Sequence, residues 1–600
     1  METNIFRTCS CIILIIAATT AKATPPSIHY RLRVNAADTS GYYVEMQLQN
    51  VPHHFRLAMA THHEYDDRFW RFVRDFQVSV ADGKATLSRF DSAVYDISIP
   101  GDAAVISYRI QLPKHNYAHQ PFLSSHGGLF GDIHSFYYLV GQTQVPSTIS
   151  FDLPQGWELA SGLDPTAESN TFIASSAGSL MDCPVLAGRL HRWKFSHEGI
   201  SYTIAYLPAA DILTFDTTLL VANIKKIVAQ TVNLFGGVPY KHYTFQLVDG
   251  VYGALEHGNS VTIGAPAAWL TRSMQEIYEQ LAHEFSHTWN LVNIRPGDYT
   301  DLNYGPQERS AELWFSEGMA MFYADLLVRR AGLPVEDSTR ITHLETLIGR
   351  YYADTGNSVI PQATVSLASN ASPDQLGDYA GSSIHLQGEL LGAMLDLLIR
   401  RSTDNLHSFD DVMRLMYTRF GGKAGFHSRD IEQAVTDVCG SDKVHPFFEK
   451  YIYEGHALDF DPWLGLIGLR LQLSWRPNTD SKGRPAPDTR AYVWQPPGDS
   501  AFHFVMTDPR SCWVKAGLHT GDVIVSIDGL SIKDRRSFYE RMNALKIGDA
   551  VLVRVRRPSG IQEVSVKITG YEVPVAHLLP APDADSRSRD LLRKWQERLK

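Results

Sequence analysis

Six hundred residues, 44% hydrophobic, 20% charged and 11% aromatic, describe a folded chain of several domains and exclude a disordered polymer, a collagen and a polytopic membrane protein. At about 150 residues per domain the length corresponds to roughly four units. A formal charge of −10, with no long run of Lys or Arg, argues against nucleic acid as a partner.

The chain opens with Arg7, a short apolar run from Cys11 to Thr20, and Ala21-Lys22-Ala23 as a small-x-small cleavage pattern. That is the plan of a secretory signal peptide over residues 1–23. A membrane anchor needs about 20 apolar residues, roughly twice the run present. The expectation is an exported protein, periplasmic or secreted, with no transmembrane segment after cleavage. Cys9 and Cys11 leave with the leader. Cys183, Cys439 and Cys512 remain, too few and too scattered for a disulfide framework, so each is expected as a buried thiol.

Residues 24–208 read as short strands with alternating or aromatic-rich character, such as Tyr42 to Leu48 and Val105 to Leu112. They predict an antiparallel, sandwich-like β domain. The period changes near residue 210. Thr217 to Phe235 reads as a helix, Tyr243 to Val248 as a strand, and further strong helices follow, giving a mainly helical unit over 209–455. Residues 460–575 return to short strands with one helix near Ser537 to Leu545. Residues 576–600 form a C-terminal tail, of which Asp585 to Lys600 reads as a charged amphipathic helix or a frayed end. The fold class is multi-domain α+β.

Ser273-Met274-Gln275-Glu276 fits a capping box opening a helix. Met274, Ile277, Tyr278, Leu281, Phe285 and Trp289 fall on one side of its wheel, and His283 and His287 on the other. Histidines four apart project toward one point, and Glu284 lies about 100° round from His283. Two such imidazoles form a bidentate zinc site, with a carboxylate beside them able to take a proton from metal-activated water. The same pattern also arises as an ordinary solvated helix face, so a third ligand is needed. Glu317 lies in Leu313-Trp314-Phe315-Ser316-Glu317-Gly318, within a helix apolar nearly all round and therefore buried. A buried carboxylate requires a cation. An arginine would serve; zinc on the preceding helix would complete a three-ligand site with an open position.

Upstream, Tyr252-Gly253-Ala254-Leu255-Glu256-His257 lies between two predicted strands. Gly253 and Ala254 allow close approach of an extended peptide at a sheet edge. Glu256 offers a negative charge suited to a peptide's α-ammonium, or else is a surface carboxylate.

Together these segments resemble the glycyl aminopeptidase family of zinc metallopeptidases, within the gluzincins. The likeness rests on H-E-F-S-H-T-W-N at His283 to Asn290, Ile294-Arg295-Pro296, Leu313 to Gly318 and G-A-L-E-H at Gly253 to His257. It implies a thermolysin-like catalytic domain in which His283, His287 and Glu317 ligate one zinc ion and Glu284 is the general base. Glu256 would hold the free amino terminus, and the substrates would be peptides beginning with Gly or Ala. The family's tyrosine, three residues before a glycine on a later helix, hydrogen-bonds the oxyanion; here that position, ahead of Gly388, is His385. Imidazole can donate the same bond, and Tyr379 is an alternative donor. The alternatives to an aminopeptidase are a zinc endopeptidase and a scaffold that has lost catalysis.

Ala516-Gly517-Leu518 through Gly521-Asp522-Val523-Ile524-Val525-Ser526-Ile527-Asp528-Gly529 is typical of a PDZ domain. Such a fold captures extended peptide C-termini as an added strand, or here serves only for packing. Leu464 to Leu469 is the candidate carboxylate-binding loop.

Overall fold

The computed structural model describes residues 25–60, 69–112, 120–210, 213–299, 309–335, 337–369, 372–496 and 499–596. The expected leader lies outside them. Among the described residues no helix is long and apolar enough to cross a membrane.

The N-terminal strands alternate as their sequence does. In Gly41–Gln49, Tyr42, Val44, Met46 and Leu48 point inward, and this strand lies between Ser27–Arg33 and Ala104–Gln111 in a seven-stranded sheet. Its inner face shares one core with a four-stranded sheet that includes His54–Met59 and Val94–Ser98. This is the sandwich-like packing the alternation predicts.

The domain ends earlier than residue 208. Strands β1 (His191–His197) and β2 (Ile200–Leu207) belong to the sheet of the next unit. There β2 runs parallel to β3 (His242–Val248), and β3 to β5 (Ser260–Gly264). The short β4 (Ala254–Glu256) pairs antiparallel with β5 and forms the outer edge of the order β1-β2-β3-β5-β4. Sequence pattern cannot place this boundary, because strands either side of it have the same local character.

Helix α1 (Thr217–Phe235) begins at Asp216, whose side chain accepts from the Leu219 amide, and ends at Gly236 in the left-handed region, φ 74°. Helix α2 (Gln275–His287) carries the histidines. The expected capping box does not form: Ser273 closes the preceding helix Ala267–Arg272, and Met274 is already helical in backbone, with no side-chain cap. Ile277, Tyr278, Leu281 and Phe285 bury as the wheel requires. Helix α3 (Leu313–Arg330) is buried through most of its length. Helix α5 (Ile384–Ser402) packs along it, and α4 (Arg340–Ala353) packs on α5.

Helices α3 and α5 cross on a pair of glycines. A Cβ on Gly388 would lie 2.2 Å from the Trp314 carbonyl oxygen and 2.6 Å from the Gly318 Cα; one on Gly318 would lie 2.3 Å from the Gly388 Cα. Backbone therefore meets backbone, and His385, one turn before Gly388, comes within reach of Glu317.

The C-terminal boundaries also shift. Asp461–Leu466 is helical, and β6 (Leu469–Pro477) pairs with β12 (Glu572–Pro580) in a two-stranded ribbon. Leu464, Ile467, Leu469, Ala576 and Leu578 join the core of the helical unit, so Leu464 to Leu469 is not a carboxylate-binding loop. The tail is packed, not frayed: helix α6 (Ser586–Gln596) buries Leu591 and Trp595 in that same core. Between the ribbon strands stands a separate five-stranded sheet, β7 (Ala491–Trp494), β8 (His503–Met506), β9 (Val523–Ile527), β10 (Ala550–Arg557) and β11 (Gly560–Lys567), with its own core. Asp528-Gly529 make the expected tight turn, with φ of 50° and 77°. This is the PDZ domain.

The PDZ domain is latched to the segment that leads into α5. The Ala380 and Gly381 amides donate to the Met506 and Thr507 carbonyls, each at 3.2 Å. Asp378 accepts from the Thr520 amide at 2.8 Å and lies 2.7 Å from His519 Nδ1. The Thr355 amide and hydroxyl donate to Asp508, at 3.0 and 3.2 Å. Among the described residues Cys183, Cys439 and Cys512 are free thiols; Cys183 and Cys512 are buried as expected, and Cys439 is half-buried.

Replacing Gly388 by Ala is expected to force α3 and α5 apart, at a cost of about 1–3 kcal/mol. Urea unfolding of the purified variant reads this as a lower midpoint.

Candidate metal centre and peptide-binding edge

On α2 the Nε2 atoms of His283 and His287 lie 3.0 Å apart, with their rings at 89°. Glu317 Oε2, presented by α3, lies 3.5 Å from the first and 3.3 Å from the second. A tetrahedral zinc with bonds of about 2.0–2.1 Å requires donor–donor edges of about 3.3–3.4 Å, so the triangle has the right size for one ion. The tautomer also fits. His287 Nδ1 lies 2.9 Å from the Asn290 carbonyl oxygen; donating there leaves Nε2 with a lone pair for a metal. The Asn290 side chain donates to the Phe315 and Ser316 carbonyls, at 3.3 and 3.0 Å, which fastens the end of α2 to the turn of α3 that carries Glu317.

The charges are mutually adjusted. Burial pulls His283 down to about 4, and the His287 ring adds to the fall. Burial also works against His287, but the Glu317 carboxylate outweighs it and raises that ring to about 10. Burial alone would raise Glu317, yet His287 and the hydrogen bonds from three imidazoles hold it well below the carboxylate range. The two rings and the carboxylate thus converge on one point where opposite charges are adjusted to each other, a place a divalent ion can occupy. The donor set, two imidazoles and one carboxylate with a free side, suits zinc.

Glu284 lies on the same helix beside the cluster. Burial and then the neighbouring Glu256 carboxylate, with which it shares a hydrogen bond, push it well above the usual range. The two acids that the sequence separates by 28 positions are therefore in contact, Glu256 reaching the site from β4. Gly253, φ 81°, and Ala254 lead into that edge strand, whose backbone is the outer margin of the sheet.

His385 meets Glu317 directly, Nε2 to Oε2 at 3.0 Å, while its side chain remains 47% exposed. Burial lowers its pKa, but the Glu317 carboxylate reverses the sign and leaves it raised. Tyr379 ends the turn Pro373–Tyr379, and its carbonyl accepts from the Ser382 amide and hydroxyl; no described contact joins its ring to the histidines. Of the two oxyanion candidates, His385 is the one at the cluster.

Sequence reasoning passes over Asp182. This residue of the N-terminal domain lies 3.3 Å from His257 Nδ1 and accepts from the Gly258 amide at 2.8 Å, fixing the strand end that carries Glu256. It is 75 positions away from His257, and no local pattern marks it.

Comparison with known proteins agrees with this arrangement. Residues 29–189 match the Peptidase M61 N-terminal domain, residues 276–391 the M61 glycyl aminopeptidase domain, and residues 503–568 a PDZ domain. No curated protein sequence matches the chain. Among solved structures, an aminopeptidase N family protein from Idiomarina loihiensis is 19% identical, over 95% of this chain and 100% of that one, with a TM-score of 0.74, and shares the fold. An M1 zinc metallopeptidase from Deinococcus radiodurans is 14% identical, over 72% of this chain and 95% of that one, with a TM-score of 0.47. With two stretches that match peptidase models and a PDZ module, the chain is a zinc metallo-aminopeptidase that resembles the M61 glycyl aminopeptidase family over residues 29–189 and 276–391.

Proposed function

We propose that the protein is an exported aminopeptidase that removes small N-terminal residues, Gly or Ala, from peptides, using one zinc ion per chain. The observation that carries this reading is the contact between Glu256 and Glu284 beside the histidines. A carboxylate that can hold an α-ammonium then stands next to the group that activates water, so the first peptide bond is the one within reach.

Zinc held by His283, His287 and Glu317 would supply Lewis-acid chemistry, polarising the scissile carbonyl and acidifying water. Glu284 accepts the proton of the attacking water and returns it to the departing amine. Glu256 anchors the substrate's amino terminus, and the open edge of β4 pairs with its backbone. Binding of the amine separates Glu256 from Glu284 electrostatically and leaves Glu284 free to act as base. His385 donates to the carbonyl oxygen as negative charge develops there. The preference for small N-terminal residues rests on the family resemblance, and Gly253-Ala254 lets the substrate backbone approach the edge of β4 closely. Export is supported by the pattern of residues 1–23.

Four experiments test these assignments. Glu284→Gln is expected to keep one zinc per chain by plasma mass spectrometry while turnover of Gly- or Ala-anilide falls by about 10²–10⁴; unchanged turnover would reject the mechanism. N-acetylation of a peptide substrate is expected to abolish cleavage by the native enzyme. Glu256→Ala is expected to raise KM for free-amine peptides, so rapid cleavage of acetylated peptides by the native enzyme would make it an endopeptidase. His385→Phe is expected to lower kcat by about 10²–10³ with KM little changed, and His385→Tyr to recover most of the loss. A zinc assay on both variants separates loss of the hydrogen bond from loss of the ion.

A further inference from the structure

Away from the metal centre, four helices meet around a cavity of about 310 Å³ whose lining is cationic. The last turn of α3 contributes Arg329 and Arg330, the start of α4 contributes Thr339 and Arg340, α5 contributes Arg400 and α6 contributes Lys594. Glu317 and Arg330 are 13 positions apart on one helix, so the cavity lies about 20 Å from the metal ligands.

Three of the arginines have carboxylates of their own. Arg329 Nε contacts both oxygens of Asp325 at 2.8 and 2.7 Å, Arg330 lies 2.9 Å from Asp410, and Arg400 lies 2.9 Å from Asp396. Lys594 pairs with Asp590 at 2.9 Å on the surface. Arg340 has no such partner among the described residues. Its nearest carboxylate is Asp396 at 3.8 Å, already held by Arg400 and by the Trp595 indole. Instead Arg340 lies over the Trp595 ring at 3.9 Å and donates to the Trp595 carbonyl. Among the described residues one buried positive charge is therefore in excess.

Donors are in excess as well. Among the described residues Arg329 Nη2 and Arg330 Nε are buried without a hydrogen-bond partner, and the Arg330 side chain is only 6% exposed. An unpaired buried donor costs about 1–3 kcal/mol, more for a charged group, so a built cavity with two of them is incomplete as it stands. The positive end of α4 also opens here, behind its Thr339 cap, with no acidic residue in the first turn. Burial draws the Arg340 guanidinium down to about 10, only partly opposed by Asp396, which is the electrostatic mark of a cation short of a counter-charge.

The geometry points to an anion-binding site in which Arg330, Arg340 and the mouth residue Lys594 hold a small tetrahedral oxyanion of the phosphate class, free or as the phosphate of a monoester. A tetrahedral anion suits donors that arrive from four helices out of any one plane, and guanidinium groups suit its oxygens. Such a ligand would tie α6 to the ends of α3 and α4, and its role is separate from peptide hydrolysis.

The zinc-loaded full-length protein, titrated with inorganic phosphate against sodium chloride at matched ionic strength, tests the site. A saturable rise in Tm specific to phosphate is expected, with heat of binding in calorimetry and a Kd below the millimolar range. Arg340→Gln is expected to weaken phosphate binding at least tenfold while anilide hydrolysis persists, which also distinguishes this cavity from binding at the metal. Lys594→Gln, at the mouth, is expected to weaken it severalfold and covers the case in which the buried Arg340 variant does not fold. A parallel titration with glycerol 1-phosphate identifies the source: equal or tighter binding than phosphate indicates a monoester, weaker binding the free anion. Identical Tm curves in phosphate and chloride, or a folded Arg340→Gln or Lys594→Gln protein with native phosphate affinity, would overturn the assignment.

Discussion

The carboxylate of Glu317 is the point on which the molecule turns. It sits on a helix whose other residues are nearly all apolar, where an unpaired negative charge is prohibitively costly, and three imidazoles surround it at 3.0–3.5 Å. Each comes from a constrained backbone. His283 and His287 are fixed by one turn of α2, whose end Asn290 fastens to the carbonyls of Phe315 and Ser316. His385 is brought in because Gly318 and Gly388 let α3 and α5 touch backbone to backbone. Cation demand at Glu317 and close packing of three helices are thus one requirement seen from two sides.

The domains on either side of the catalytic core each support one wall of the site. The N-terminal sandwich supplies Asp182, which holds His257 and Gly258 and so the end of the strand bearing Glu256. The PDZ domain supplies the carbonyls and amides that hold residues 378–381, immediately ahead of the helix that bears His385. Gly381 is required at that joint because a Cβ there would collide with Asp354. Among the described residues neither neighbour contacts His283, His287 or Glu317, yet the strand that carries Glu256 and the helix that carries His385 depend on them for position.

A histidine rather than a tyrosine at position 385 ties this side of the cleft to the charge on Glu317. A neutral phenol donates without adding charge, whereas His385 already leans on Glu317 and has its proton affinity raised by it. The same ring helps to neutralise Glu317, so any hydrogen bond it donates into the cleft is coupled to the charge on that carboxylate.

Much of this was legible from local pattern. The i, i+4 histidines, the carboxylate inside an apolar helix and the Asp528-Gly529 turn depend on residues within one or two turns of each other, and the strand and helix periods follow from side-chain burial alone. The edge position of Glu256 was also foreshadowed by small residues between two strands. What the sequence could not decide were facts set by distant partners: the assignment of His191–Leu207 to the catalytic sheet, and the packing of Leu464 to Leu469 and of the C-terminal helix into the helical core instead of the PDZ domain. The contact of Glu256 with Glu284, the approach of His385 to Glu317 and the clamp of Asp182 on His257 belong with them. Periodicity states which face of an element seeks burial, but only the tertiary fold determines which other face it meets.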